Sequence, residues 1–339
     1  MKCIPVQEAV GSILCHDITQ ILPGEFKGRR FKKGHIIQEE DIQVLLSLGK
    51  DNIYVWENLP GMVHENDAAT FLKDITMGDG LTFGEIKEGK ITFTAAHDGL
   101  LKVDADRLFQ LNMLGEISFA SLHNNLQVKK GEAVAGTRVI PLVIDQKKLD
   151  EAKKLLDGHK IIEVKPMKSF NIGIVTTGSE VYYHRIEDKF GPILRGKMEA
   201  YHCTVAGQTF VPDDKEMIEA AIKDWLDKGV DMVFCTGGMS VDPDDLTPSA
   251  IRDTGCEIVT YGTPVLPGAM FLLSYYTDGR PVLGLPGCVM HSKVTVFDLI
   301  FPRILAGEKI TMTDIAAFGH GGLCSNCAEC HYPNCHFGK

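Results

Sequence analysis

Three short segments carry the residue types that hold phosphate: Thr176-Thr177-Gly178-Ser179-Glu180, Thr236-Gly237-Gly238-Met239-Ser240 and Leu285-Pro286-Gly287-Cys288. Glycine lets the backbone approach an anion closely, and exposed N–H groups beside Ser and Thr hydroxyls can cradle it. Each segment alone reads equally well as an ordinary strand-to-helix turn. Three of them at one end of one sheet point to a site. The second runs on into Val241-Asp242-Pro243-Asp244-Asp245-Leu246-Thr247, a crowd of carboxylates that repel one another unless solvated or sharing a cation. Beside a phosphate cradle Mg²⁺ is the natural cation, because it prefers oxygen ligands, and Asp242 and Asp245 are its candidate holders. The alternative is a solvated acidic turn leading into a helix, with Thr247 as N-cap and Pro248 at the first helical position. Asp213-Asp214 and Glu180 lie where they can add carboxylates at the same edge.

A second cluster sits near the C-terminal end. Cys324, Cys327, Cys330 and Cys335 are separated by two, two and four residues, with His320, His331 and His336 alongside. Four thiolates so close in sequence can wrap Zn²⁺ or hold an iron–sulfur cluster. The consecutive two-residue gaps resemble a ferredoxin run more than the separated pairs of a zinc ribbon, although the last gap is one residue too long. The alternative is a disordered, redox-labile tail. Cys3, Cys15, Cys203, Cys235, Cys256 and Cys288 are scattered, and only Cys288 falls beside a candidate phosphate loop.

The elements that must position these residues follow from hydrophobic periodicity. From Phe170 strand and helix alternate. Ile172-Gly173-Ile174-Val175 is a buried parallel strand, Thr204 to Val211 a second, and Met232-Val233-Phe234-Cys235 a third. Between the last two, Asp213 or Asp214 caps a helix with Met217, Ile218, Ala221, Ile222 and Trp225 on one face. Thr277-Asp278-Gly279-Arg280 is a hairpin turn between Phe271–Tyr276 and Pro281–Leu285. Val289 to Leu305 reads as a closing helix interrupted near Pro302. Such alternation implies a largely parallel sheet covered on both faces, with ligands beyond the carboxyl ends of its strands.

The preceding half is less informative. Phe31 to Ile37 looks like a strand–turn–strand start. A helix follows over Glu39 to Leu48 with Gly49 as C-cap, then a strand over Ile53 to Trp56. Helices over Asp104 to Leu114 and Gln146 to Leu156 mix with strands such as Lys90 to Thr94, and no chemical motif appears. The expected organisation is a β-rich scaffold region over 1–168, with one or two subdomains. An α/β domain over 169–310 and a Cys-rich metal-binding tail over 311–339 complete it.

With 44% hydrophobic and 24% charged residues, the chain falls among ordinary soluble globular proteins. Its net charge of −10 argues against a nucleic-acid partner or an anionic membrane surface. No apolar run is long enough to span a bilayer, and the first residues lack a signal-peptide core, so a cytoplasmic location is expected. In that reducing compartment, the crowding of four of the ten cysteines points to metal rather than to disulfides.

The ordered set Thr177-Gly178-Ser179-Glu180, Val211-Pro212-Asp213-Asp214, Thr236-Gly237-Gly238-Met239-Ser240 through Asp245, and Leu285-Pro286-Gly287 resembles the molybdopterin-binding domain. That domain occurs in the molybdopterin molybdotransferases and adenylyltransferases of molybdenum-cofactor biosynthesis. The resemblance covers Phe170 to Leu305 and implies a three-layer α/β/α domain that binds molybdopterin or its adenylated form. It further implies Mg²⁺-assisted insertion of molybdate (or tungstate) with release of AMP, and a homo-oligomer, a dimer or trimer. Carried over, Glu180, Asp214 and Asp245 match the family's acidic positions. Thr177, Gly178, Ser179, Gly237, Gly238, Ser240, Pro286 and Gly287 then match the cofactor-holding loops. Phe31–Trp56 looks like the segment that precedes this domain in molybdotransferases. Departures are plain. Pro267-Gly268-Ala269-Met270 stands where molybdotransferases have Pro-Gly-Lys-Pro, and Pro286-Gly287-Cys288-Val289 where they have Pro-Gly-Asn-Pro. Leu194-Arg195-Gly196 replaces Asp-Ser-Asn, with Arg195 and Lys197 as alternative positive charge. A non-catalytic pterin-binding or sensing protein is therefore one alternative. Another is a nucleotide pyrophosphatase, because Asp242 to Thr247 also resembles the matching loop of the competence-damage-inducible family.

Overall fold

The computed structural model describes residues 2–22, 26–55 and 60–339. The chain divides into two units, one of residues 1–96, 103–122 and 130–163, the other of residues 97–102, 123–129 and 164–339.

The first unit is rich in short antiparallel pairs. Lys2–Pro5 pairs with Asn52–Val55 and Ile18–Leu22 with Phe26–Phe31. Ile4, Leu14, Ile37, Leu45 and Ile53 form a core under these strands and the helix Glu39–Ser47. Gly49, expected to end that helix, has φ +72°, a conformation glycine adopts without penalty. The strand expected over 53–56 is Asn52–Val55, and Trp56 lies outside the described residues. Further on, Leu81–Phe83, Lys90–Ala95, Ala133–Val139 and Ile117–Ser121 form a four-stranded sheet in that order. Helix Glu65–Thr76 was not read from sequence. Its inward residues Ala68, Ala69 and Leu72 are interleaved with polar ones, which weakens the apolar stripe.

The second unit holds a six-stranded sheet. Its elements are β1 (Asn171–Thr177), α1 (Ser179–Tyr182), α2 (Phe190–Ala200), β2 (Thr204–Val211), α3 (Lys215–Asp227), β3 (Met232–Thr236) and α4 (Thr247–Asp253). They continue as β4 (Glu257–Tyr261), β5 (Leu272–Tyr275), β6 (Pro281–Leu285), a 3₁₀ turn (Gly287–Met290), α5 (Val296–Leu305) and α6 (Met312–Ala317). The strand order is β2-β1-β3-β6-β5-β4. Strands β2, β1, β3 and β6 are mutually parallel, and β5 alone is reversed, pairing antiparallel with β6 on one side and β4 on the other, so the sheet is mixed. The hairpin at Thr277–Arg280 reverses the chain between β5 and β6 and is the source of that mixture. Two separate clusters of buried residues cover its faces. One includes Phe234, Phe297 and Phe301 and the other Val175, Ile222 and Trp225.

Helix α3 shows how composition fits this packing. Asp214 caps it by accepting from the Met217 N–H at 2.9 Å. Ile218, Ala221, Ile222, Trp225 and Leu226 are buried, but Met217 is 40% exposed and stands off the expected apolar face. The Trp225 indole lies flat over two strands where they carry Gly173 and Gly207. A Cβ at either glycine would come within 2.6 Å of the ring.

The closing helix departs from expectation. It breaks at His291–Thr295 rather than at Pro302, and α5 runs through the proline. Thr295 and Asp298 form a reciprocal capping box that starts α5 afresh. Pro302 has no N–H to offer the Asp298 carbonyl one turn back. The Tyr332 hydroxyl donates to that carbonyl instead, at 3.2 Å. Among the described residues, no helix is long and apolar enough to cross a membrane.

Candidate functional site

Parallel pairing brings the ends of β1, β2, β3 and β6 to one edge of the sheet, and the glycine loops with them. The first two loops are tied together by buried threonines. The Thr247 hydroxyl donates to the Gly237 carbonyl at 2.9 Å and lies 3.1 Å from Thr177 Oγ1. Thr247 is fully buried and does not cap α4; Leu246 occupies that position. One strand turn below, the Thr236 hydroxyl donates to Thr176 Oγ1 at 3.0 Å, and Gln208 Nε2 donates to the same oxygen at 2.9 Å. These hydroxyls hold strand ends in register and are spent within the protein. Gly237 (φ +86°) is required by the contact, since a Cβ there would lie 2.1 Å from the Thr177 carbonyl oxygen.

An open cavity of about 640 Å³ lies beyond this edge. Gly237, Gly238, Met239, Ser240, Asp242 and Asp245 form one wall. Pro286, Gly287 and Cys288 form another, and Leu266 to Met270 a third. The second and third glycine loops, both candidate magnesium carboxylates and the Pro267-Gly268-Ala269-Met270 turn therefore share one space. Among the described residues, no Lys or Arg lines it. Asp245 is braced, accepting from the Ser240 N–H at 2.8 Å through one oxygen, while Asp242 is exposed. Burial pushes the Cys288 thiol up, away from the thiolate.

The first loop is placed differently. Thr177, Gly178, Ser179 and Glu180 do not line the cavity, and neither does Asp214. Thr177 supports the second loop from beneath. The Ser179 N–H donates to Asp213 Oδ2 at 2.8 Å, which fastens the first loop to the start of α3. Glu180 is exposed and folds back over Gly178, where a Cβ would meet its carboxylate at 2.9 Å. Asp214 has one oxygen committed to capping α3. Among the described residues, no three His, Cys, Asp or Glu side chains are gathered as a metal-holding group. The alternative cations are also elsewhere. Lys197 pairs with Asp298 at 2.6 Å, and Arg195 is exposed outside the cavity lining.

Three contributors escaped the sequence. Tyr261, at the end of β4, donates its hydroxyl to the Met239 and Ser240 carbonyls at 3.1 and 2.9 Å and so braces the second loop. Burial, then the neighbouring charge of Asp245, push that phenol above its ordinary value. Phe190 and Met290 supply apolar lining. No spacing rule marks any of the three.

The cysteine tail is folded onto the second unit. Phe337 is 1% exposed in its core, and Cys324, Cys330 and Cys335 pack against the same cluster. Leu266 and the tail exchange backbone bonds, Leu266 N–H to Gly322 O and Cys324 N–H to Leu266 O, both 2.8 Å. Cys324, Cys327, Cys330 and Cys335 line a single cavity of about 230 Å³, and all four are free thiols.

Comparison with known proteins agrees with this architecture. Residues 173–306 match a family model described as "Probable molybdopterin binding domain", and residues 3–57 match a domain family of unknown function. The chain is 26% identical over 144 residues to a molybdopterin molybdenumtransferase of Synechococcus elongatus, covering 40% of this chain and 36% of that protein. It is 27% identical over 305 residues to a Methanocaldococcus jannaschii protein named for molybdopterin biosynthesis, covering 81% of this chain and 73% of that one. It is 34% identical over 92 residues to a CinA-like protein of Mycobacterium avium, covering 27% of this chain and 21% of that one. The chain thus spans little more than a third of the first of these relatives and less of the last. The sheet, its glycine loops and the matched segment coincide, and residues 173–306 are a domain of the molybdopterin-binding family.

Proposed function

We propose that the cavity at the carboxyl edge of β3 and β6 binds a phosphorylated pterin, molybdopterin or its adenylated form, in molybdenum or tungsten cofactor biosynthesis. The observation that carries this reading is the composition of the cavity. Two glycine loops offer close backbone approach, two carboxylates face the same space, and no cationic side chain among the described residues lines it. A phosphate entering such a cavity needs its charge offset by something other than Lys or Arg. Mg²⁺ fits, because it is commonly held by one or two carboxylates together with substrate phosphates rather than by an all-protein cage. Asp242 and Asp245 would hold it, and bound there it would neutralise phosphate charge.

The chain's own groups then have separate tasks. Gly237, Gly238 and Gly287 let the backbone approach the phosphate. Ser240, exposed beside Asp245, offers a hydroxyl. Phe190, Met239 and Met290 give the pterin ring an apolar surface. Glu180 and Asp214 sit at the same edge but outside the lining, and in this reading they engage only a ligand that extends past the first loop, such as the adenylated form. Ala269 stands where molybdotransferases carry a lysine, so anion affinity here rests more heavily on the cation. The protein acts in the cytoplasm as a homo-oligomer, a dimer or trimer, in the same reading.

The test is incubation with adenylated molybdopterin and Mg²⁺, with and without molybdate, while AMP is followed. AMP that appears only with molybdate establishes insertion. Tight pterin binding without AMP release establishes a carrier or sensor. Hydrolysis of ADP-ribose without molybdate would instead favour a nucleotide pyrophosphatase. Failure to bind any pterin would overturn the proposal.

A further inference from the structure

The tail cavity makes no use of the pterin site and asks for its own occupant. Its four cysteines belong to a loop closed on itself, because the Gly338 N–H donates to the Gly321 carbonyl at 2.9 Å. Tyr332 anchors the loop to the Asp298 carbonyl and Phe337 anchors it in the core. Within it, the His336 ring lies 3.1 Å from the Leu323 carbonyl, and the Asn334 N–H donates to the His331 carbonyl at 2.6 Å. A short segment carrying four free thiols is thus fixed by backbone, aromatic and apolar contacts, with all four cysteines lining one space.

We propose that Cys324, Cys327, Cys330 and Cys335 ligate an iron–sulfur cluster in the cavity that they line. Size argues for a cluster over a single ion. The cavity is about 230 Å³. A single water needs only roughly 10–15 Å³ on the same kind of measure. All four cysteines line this one space. Iron–sulfur clusters are held by four thiolates around a body several atoms wide, whereas zinc draws its four ligands to one centre. Lys293, from the segment that precedes α5, lines the same cavity and brings a positive charge to the edge of an otherwise anionic ligand set. On loading, each thiol gives its proton to solvent and forms one S–Fe bond. Iron and inorganic sulfide come from outside the chain, and no protein group changes oxidation state. The inference stands whatever the strand-end cavity binds.

The experiment is anaerobic purification of the full chain, with iron, acid-labile sulfide and zinc measured per chain and the visible spectrum recorded. Samples are compared before and after reconstitution with sulfide and a mixture of ferrous and ferric iron, so that a reducible mixed-valence cluster forms without a further oxidant. Expected are iron and sulfide in equal amounts, with charge-transfer absorption that bleaches on reduction. Cys327→Ser, at the one exposed cysteine of the four, is expected to lose most of the iron while its thermal unfolding stays that of the metal-free wild type. Cys3→Ser, at an exposed cysteine of the first unit, should keep the iron. Zinc in place of iron after anaerobic purification and reconstitution would overturn the cluster. So would four thiols that titrate freely, or iron retained undiminished in Cys327→Ser.

Discussion

Thr247 gives the sharpest structural prediction, because two accounts of it differ in sign. As a helix N-cap it would be replaceable by Asn, which ranks with the best caps. In the structure it is fully buried and joins the first two glycine loops. Its proton goes to the Gly237 carbonyl, so Thr177 must donate to Thr247 Oγ1. Thr247→Val keeps the volume and removes both bonds, leaving a carbonyl and a hydroxyl without these partners. Each orphaned group costs about 1–3 kcal/mol, so the expected loss is about 2–6 kcal/mol. Thr247→Ser keeps the hydroxyl and loses one buried methyl, about 1 kcal/mol. Thr247→Asn must fit a larger amide into a filled site and is expected to be the worst of the three. Urea unfolding followed by Trp225 fluorescence, in a Trp56→Phe background, reports the second unit. A Val variant within about 0.5 kcal/mol of wild type, the usual range for surface substitutions, would refute the tie. So would an Asn variant as stable as wild type.

Gly237→Ala combines left-handed strain with a backbone clash and should cost roughly 2–5 kcal/mol, whereas Gly255→Ala meets no atom within 4 Å and should cost only the strain, roughly 1–2 kcal/mol. Equal unfolding midpoints for the two would remove the contact from the explanation. Tyr332→Phe strips the proline-orphaned Asp298 carbonyl of its donor and should cost about 1–3 kcal/mol, read as a lower melting temperature; an unchanged one would mean that another group serves that carbonyl. Burial raises the Asp314 carboxyl, but hydrogen bonds from Thr311 and Arg303 outweigh it and hold the group at about 2. Its folded pKa lies below its unfolded one, so its stabilisation is complete above the unfolded value and is lost as pH falls from about 5 towards 2. The side chain is 29% exposed, so solvent screening reduces the effect to roughly 1 kcal/mol. Asp314→Asn should flatten stability against pH in that window, and an unchanged slope would assign it to other carboxyls.

The legible parts of the sequence were those with a local cause. Asp214 capping α3, the strand β2, the hairpin turn and the helix Gln146–Leu156 follow from caps, alternation and turn chemistry within a few residues. What was missed depends on distant partners. Thr247-Pro248 has the local form of a helix start, but Thr247 is claimed by residues 10 and 70 positions away. Pro302 looks like a helix breaker until Tyr332 supplies its missing bond. The second and third glycine loops and the Asp242/Asp245 pair line one cavity, because parallel strands carry them to the same sheet edge. The first loop instead lies outside the cavity lining, and Tyr261 braces the second loop through a contact that no local pattern announces.

The central claim is that the strand-end cavity is where pterin binds, and the most direct measurement is an anaerobic equilibrium titration of molybdopterin in the presence of Mg²⁺. Wild type is compared with Ala269→Trp, which fills the cavity from a partly exposed position on its wall. The account predicts saturable binding to wild type and its loss in Ala269→Trp, with unfolding midpoints unchanged. Equal binding by the two proteins, or no saturable binding by wild type, would contradict it.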